Sequence, residues 1–165
     1  MPAEGIPAVG TTARRTRTVE ARDIELFTEL TGDRNPLHYD EALAARSRFG
    51  GIIVQGGVTS GLLNAVVAED LPGPGSVFLR VGWDFKAPVR PGDVITAEVE
   101  VLEVHASKPV AKLRTTITNQ AASSFSTATR TSTASRSVDP TRSWTSTAAP
   151  AAVDVQDRRR RGGAR

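Results

Sequence analysis

The sequence predicts an α+β domain in which an antiparallel sheet wraps around one long helix. Three observations predict it. The most apolar run, GIIVQGGVTSGLLNAVVA (51–68), is interrupted by Gln55, a glycine pair, Thr59, Ser60 and Asn64. It is too polar to cross a membrane and suits a buried core helix. Residues 94–101 alternate strictly between two faces, which is the period of a half-buried strand. Turn signals, RPGD (90–93) and HASKP (105–109), separate the strand-like segments downstream, as antiparallel pairing requires.

Each element can be read in order. TARRTRTVEA (12–21) is a first strand. In EARDIELFTEL (20–30), Ile24, Phe27 and Leu30 recur every three residues with Leu26 beside them, so the segment is an amphipathic helix. TGDRNPLH (31–38) is a loop, because Gly32 breaks the helix and Pro36 pushes Asn35 toward extended geometry. YDEALAARS (39–47) is a short helix with Asp40 as N-cap, and FGG (49–51) ends that unit. The long helix runs over 56–70 and LPGPG (71–75) stops it. SVFLRVGWDFKAPV (76–89), DVITAEVEVLEV (93–104) and KPVAKLRTTITNQ (108–120) are strands. In the middle one, Val94, Thr96, Glu98 and Glu100 face one way and Ile95, Ala97, Val99 and Val101 the other.

Composition divides the chain in two. Residues 1–120 carry 13 Lys/Arg against 15 Asp/Glu, and residues 121–165 carry 8 against 3. The high isoelectric point therefore belongs to the tail, and the mildly acidic body shows no nucleic-acid footprint. The tail holds 15 Ser/Thr and only three branched aliphatics, where residues 1–120 hold 30, so it buries little apolar surface. The run RRRR (158–161) is read as a solvated end rather than a nucleic-acid or lipid contact. Cysteine is absent. That excludes thiol nucleophiles, disulfides and Cys-ligated zinc, and it fits the reducing cytoplasm. The N-terminus, MPAEGIPAVG, shows no secretory signal.

The loop 31–38 raises the functional question. It sets Asp33 five residues before His38, one of only two histidines, on a stiff connector containing Arg34, Asn35 and Pro36. The bland alternative is a turn acid beside a surface histidine. The fixed series Gly32, Asp33, Asn35, Pro36, Leu37, His38 argues against it, because LTGDRNPLHYDEALA resembles the hydratase-2 motif of the MaoC-like, (R)-specific enoyl-CoA hydratase family. IVQGGVTSGLL, LPGPGSVFL, DFKAPVRPGDVITAEVEV and KPVAKLRTTITNQ follow in the family's order, so the likeness covers about residues 12–120. The resemblance implies a hot-dog fold, a homodimer and a reaction on acyl-CoA. That reaction is hydration of trans-2-enoyl-CoA to (R)-3-hydroxyacyl-CoA and its reversal, with no metal or redox cofactor. Thioester hydrolysis and non-catalytic acyl-CoA binding are the rivals.

The residues make chemical sense for that reaction. Hydration beside a thioester needs a base for the water, a proton for the neighbouring carbon and donors for the enolate oxygen. A carboxylate and an imidazole can hold one water and handle both protons. Pro36 and Asn35 would bend the loop so that the two side chains converge. By resemblance, Asp33 activates the water, and His38 positions it and protonates the α-carbon. Gly56 offers a backbone N–H to the thioester carbonyl at the start of the central helix. Asn35, Gln55, Gly57 and Asn64 are assigned to the substrate site. Two positions depart from the family: Gln55 stands where His is common, and Asn64 where some members have Ser. Gly56 and Gly57 also suit close packing, His105 is read as a turn residue, and WDFKAPV as sheet packing in which Lys86 or Arg90 could meet CoA phosphates.

The resemblance stops near residue 120, so residues 1–120 are taken as the domain and 121–165 as a low-complexity tail. Deleting one base from a coding sequence for a family-type last strand, with codons chosen to fit, yields residues 121–135 as they stand. We read the tail as the product of a frameshift, with the last strand missing or replaced. FSTATRTST (125–133) has strand propensity through its threonines and could occupy the place with a weaker core behind it.

Overall fold

The computed structural model describes residues 7–120 with their side chains and residues 124–136 as backbone. The elements are β1 (Thr12–Thr18), α1 (Ala21–Thr31), a 3-10 turn (Pro36–His38), α2 (Glu41–Arg46), α3 (Gly56–Glu69), β2 (Ser76–Gly82), β3 (Val94–Val104), β4 (Val110–Asn119) and β5 (Ser124–Arg136). The five strands form one antiparallel sheet in the order β1-β3-β4-β5-β2. The sheet packs on α3, which is the hot-dog arrangement expected.

The alternation in β3 decides which face is the core. Ile95, Ala97, Val99 and Val101 are 0% exposed and meet Leu63, Val66 and Val67 of α3, with Leu113 and Ile117 from β4 beside them. Each of the valines, leucines and isoleucines among them contributes roughly 1.5–3 kcal/mol on burial. The opposite face is covered by cross-strand pairs at facing positions. Arg114 reaches Glu100 at 2.6 Å, Lys112 reaches Glu103 at 2.8 Å, and Arg14 pairs with Glu98. These are exposed, so they set register and solubility more than stability.

Two expectations are corrected. The strand predicted over 76–89 ends at Gly82. Pro88 has no N–H for a ladder, and the segment pairs with another loop instead, Val54 donating to the Val89 carbonyl at 2.7 Å. On α1 the buried residues are Ile24 and Thr28, not the predicted Leu30, which is 83% exposed. A polar residue takes the inward position one turn after Ile24. The sheet continues past residue 120, where β5, which contains FSTATRTST, lies between β4 and β2, as one of the two readings left open for the last strand allows. Backbone ladder groups on both neighbours accept a threonine-rich partner. The reading of a Ser/Thr/Arg-rich tail over 121–123 and 137–165, including RRRR, lies outside the described residues, as does the start of the N-terminal segment. Among the described residues no helix is long and apolar enough to cross a membrane.

Candidate active site

The site begins where α1 ends. Gly32 adopts φ +77°, and its N–H caps the Thr28 carbonyl at 2.8 Å. A left-handed C-cap suits glycine and turns the chain out of the helix. Asn35 then caps the 3-10 turn, its Oδ1 accepting from the Leu37 N–H at 3.1 Å. Pro36 sits at the first position of that turn, where its missing N–H costs nothing. Asp40 caps α2 through the Leu43 N–H at 2.9 Å, as predicted.

This loop fixes Asp33 from three directions. Its N–H donates to Thr31 Oγ1 at 3.2 Å, and its carbonyl accepts from Thr28 Oγ1 at 2.6 Å. Its Oδ1 accepts from the Asn35 N–H at 3.1 Å. His38 is fixed from the other side, Nδ1 lying 2.7 Å from the Ile53 carbonyl. A carbonyl only accepts, so Nδ1 carries a proton. The remaining atoms of the two groups face each other: His38 Nε2 stands 3.7 Å from Asp33 Oδ2. That is too long for a direct hydrogen bond. One water making bonds of about 2.8 Å to each fits across such a gap. The imidazole is 9% exposed and the carboxylate 39%, so the pair opens toward solvent on the acid's side.

Beside the pair lies a cleft of ≈ 620 Å³, whose lining includes Phe49, Ile53, Gly56, Thr59, Phe85 and Lys86. Asp33 and His38 do not line it. Ile53 lines it and is tied to the loop, its carbonyl holding His38 and its N–H donating to the Leu37 carbonyl at 3.2 Å. Gly56 is the first residue of α3 and lines the cleft. The first N–H groups of a helix have no partner within it, and they carry its positive end.

The other assigned residues lie elsewhere. Gly57 packs against Phe27, whose Cζ would stand 2.1 Å from any Cβ placed there. Gln55 is 2% exposed and turns inward beneath α1, donating to Thr28 Oγ1 at 3.1 Å and to the Ile24 carbonyl at 3.3 Å. Asn64 is exposed on α3, eight residues beyond Gly56 and outside the cleft lining. Lys86 lines the cleft, but Arg90 is committed to the backbone, donating to the carbonyls of Phe49 and Ile52 and fixing that wall. His105 accepts from the Ser107 N–H at 3.1 Å within its turn.

Sequence reasoning missed Thr28, Tyr39 and the Ile53 carbonyl. For Thr28 there was a signal, a hydroxyl one helical turn after the apolar Ile24. For a backbone carbonyl there was none.

Comparisons with known proteins follow the same lines. The family described as "MaoC like domain" matches residues 5–123. The chain is 43% identical over 108 residues to a 3-hydroxybutyryl-CoA dehydratase of Methylorubrum extorquens, covering 66% of this chain and 69% of that protein. It is 41% identical over 112 residues to an (R)-specific enoyl-CoA hydratase of Aeromonas caviae, covering 68% and 84%. The solved structure of an (R)-hydratase from A. caviae involved in PHA biosynthesis superposes with a TM-score of 0.73 at 36% identity, covering 78% of this chain and 96% of that one.

Proposed function

The chain belongs to the MaoC-like domain family, and from that premise we propose that it adds water to trans-2-enoyl-CoA, giving (R)-3-hydroxyacyl-CoA, and runs the reverse dehydration. The relatives that carry those two activities in their names support it. The observation that carries the site is the pair of free atoms, Asp33 Oδ2 and His38 Nε2, held 3.7 Å apart by backbone on both sides.

The chemistry follows from what each atom has left to do. With His38 protonated, Nε2–H and the Asp33 carboxylate share one water. The water oxygen joins the β-carbon as Asp33 Oδ2 takes one of its protons. The double-bond electrons move onto the thioester oxygen, where the Gly56 N–H at the helix start holds the negative charge. They return to the α-carbon as it accepts the Nε2 proton. The pair ends as carboxylic acid and neutral imidazole, and one proton exchange restores it. Water is consumed, no electrons are transferred and no cofactor enters this reading. Activity that survives exhaustive dialysis against EDTA supports that last point.

We also propose a homodimer. β2 is an edge strand and exposes Val77 and Leu79, and an unpaired apolar edge favours pairing with a second copy. Sedimentation giving the mass of one chain at micromolar concentration removes that part. We assign the reaction to the cytoplasm on the cysteine-free composition, and cell fractionation tests it.

The function is tested by the fall in crotonyl-CoA absorbance. Wild-type protein should deplete it, and Asp33→Asn and His38→Ala should each lose about 10²–10⁴-fold in rate. Free thiol released at the rate of absorbance loss would show hydrolysis instead. Full activity in both variants would move the chemistry elsewhere.

A further inference from the structure

Thr28 is buried, 5% exposed, on a helix face whose other buried residue is Ile24. A hydroxyl has one proton to give and two lone pairs to receive. Thr28 Oγ1 fills all three. It donates to the Asp33 carbonyl at 2.6 Å, accepts from Gln55 Nε2 at 3.1 Å and accepts from the Tyr39 hydroxyl. Gln55 stands immediately before the first residue of α3, and Tyr39 immediately after His38. One oxygen therefore ties together α1, the loop bearing the acid, the residue after the imidazole and the start of the helix that offers the Gly56 N–H.

From this saturated hydroxyl we infer that Thr28 and Gln55 are positioning residues for the hydration reaction, setting where Asp33 Oδ2 stands relative to His38 Nε2 and the start of α3. The inference rests on the reading of Asp33 and His38 given above. The Asp33 carbonyl can only accept, so the Thr28 proton goes to it, leaving the lone pairs for the Gln55 amide and the Tyr39 hydroxyl. Direction is thereby imposed on a group that otherwise rotates freely. Asp33's other ties, through Thr31 and Asn35, are local to the loop; the Thr28 contact is the one that references it to α3. Gln55 also contributes a distinguishing feature. Its Oε1 is buried with no hydrogen-bond partner. An orphaned buried acceptor is costly to stability, while the two bonds donated by Nε2 to Ile24 and Thr28 work the other way. The Nε2 donor to Thr28 accounts for its presence.

The experiment compares Thr28→Val, Thr28→Ser and Gln55→Met in the full chain, by crotonyl-CoA kinetics and urea midpoints. Valine keeps the shape and removes the hydroxyl. It should lower kcat about 10–100-fold, the scale of a misplacement near 1 Å, with little change in KM. Serine restores the hydroxyl and should keep most of the wild-type kcat. Gln55→Met removes the orphaned acceptor together with the two donated bonds, so it should lower kcat with a urea midpoint near that of wild type. A purely structural role predicts the reverse for Gln55→Met, a lower midpoint with kcat kept, and that result overturns the inference. A Thr28→Val kcat equal to wild type overturns it too, provided Asp33→Asn is inactive. If Asp33→Asn is itself active, the site reading fails first and this inference falls with it.

Discussion

Gly57→Ala tests how tightly the start of α3 is packed against α1. A methyl group at residue 57 would stand 2.1 Å from Phe27 Cζ, 2.4 Å from Cε2 and 3.2 Å from Cε1. Ordinary carbon contacts lie near 3.5–4.0 Å, so the ring has to retreat by about 1.4 Å or more. Overpacking of this kind costs about 1–3 kcal/mol. Alanine recovers up to about 1 kcal/mol of helix propensity over glycine, less so near a helix start. The net expectation is a loss of about 1–2 kcal/mol. The clean measurement is a double-mutant cycle by urea denaturation of wild type, Gly57→Ala, Phe27→Ala and the pair. Propensity cancels in the cycle, so the coupling should equal the overpacking cost, about 1–3 kcal/mol. With the ring gone, alanine at residue 57 should be neutral or stabilising. Equal costs of Gly57→Ala in both backgrounds would refute the steric argument.

Two further outcomes follow from the fold. Ala128 of β5 pairs with Thr115 of β4. Proline is disfavoured within a sheet because it cannot donate to the ladder, so Ala128→Pro should lower the melting midpoint seen by circular dichroism. An unchanged melt would remove that segment from the sheet. The second concerns acid. Arg15 Nε and Nη2 grip Asp70 at 2.5 and 2.9 Å, joining β1 to the end of α3. That hydrogen bond, with the charge attraction added, holds the Asp70 carboxyl below its ordinary value despite partial desolvation. A folded value below the unfolded one means the pair stabilises above the usual carboxylate range and the contribution fades as pH falls through the folded value. Asp70→Asn should therefore have a lower urea midpoint than wild type at neutral pH, with the difference closing as pH falls below the usual carboxylate range. A constant difference across that window would assign the effect to shape and not to charge.

Much of the architecture was legible because its signals are local. The alternation over 94–101 set the inward face of β3, and Gly32 and Asp40 marked the helix ends they occupy. The acid and the imidazole were legible because proline and asparagine bend the chain between them. What was not legible depends on groups far apart in sequence. Gln55 turned away from the cleft because its donors find Ile24 and Thr28, 31 and 27 residues earlier. Residues 83–89 read as strand by composition but pair with the segment before α3, a choice made by tertiary contact. Asn64 was assigned by register with relatives, and a helix carries it away from the cleft at 1.5 Å per residue. Whether a strand follows residue 120 stayed open in the sequence because few large apolar residues occur there, although an interior strand is held first by its backbone.

Arg90 has a consequence for which substrates can enter. Its planar fork reaches the carbonyls of Phe49 and Ile52, while its own N–H is tied to Asp93 Oδ2 at 2.9 Å in the turn before β3. A single rigid side chain thus braces the aperture between the wall bearing Phe49 and the wall formed by residues 85–89. A lysine, as one point charge on a flexible stem, cannot hold both carbonyls in that geometry. On the proposed reading, in which this cleft takes the acyl group, its width is set by a residue outside the cleft lining.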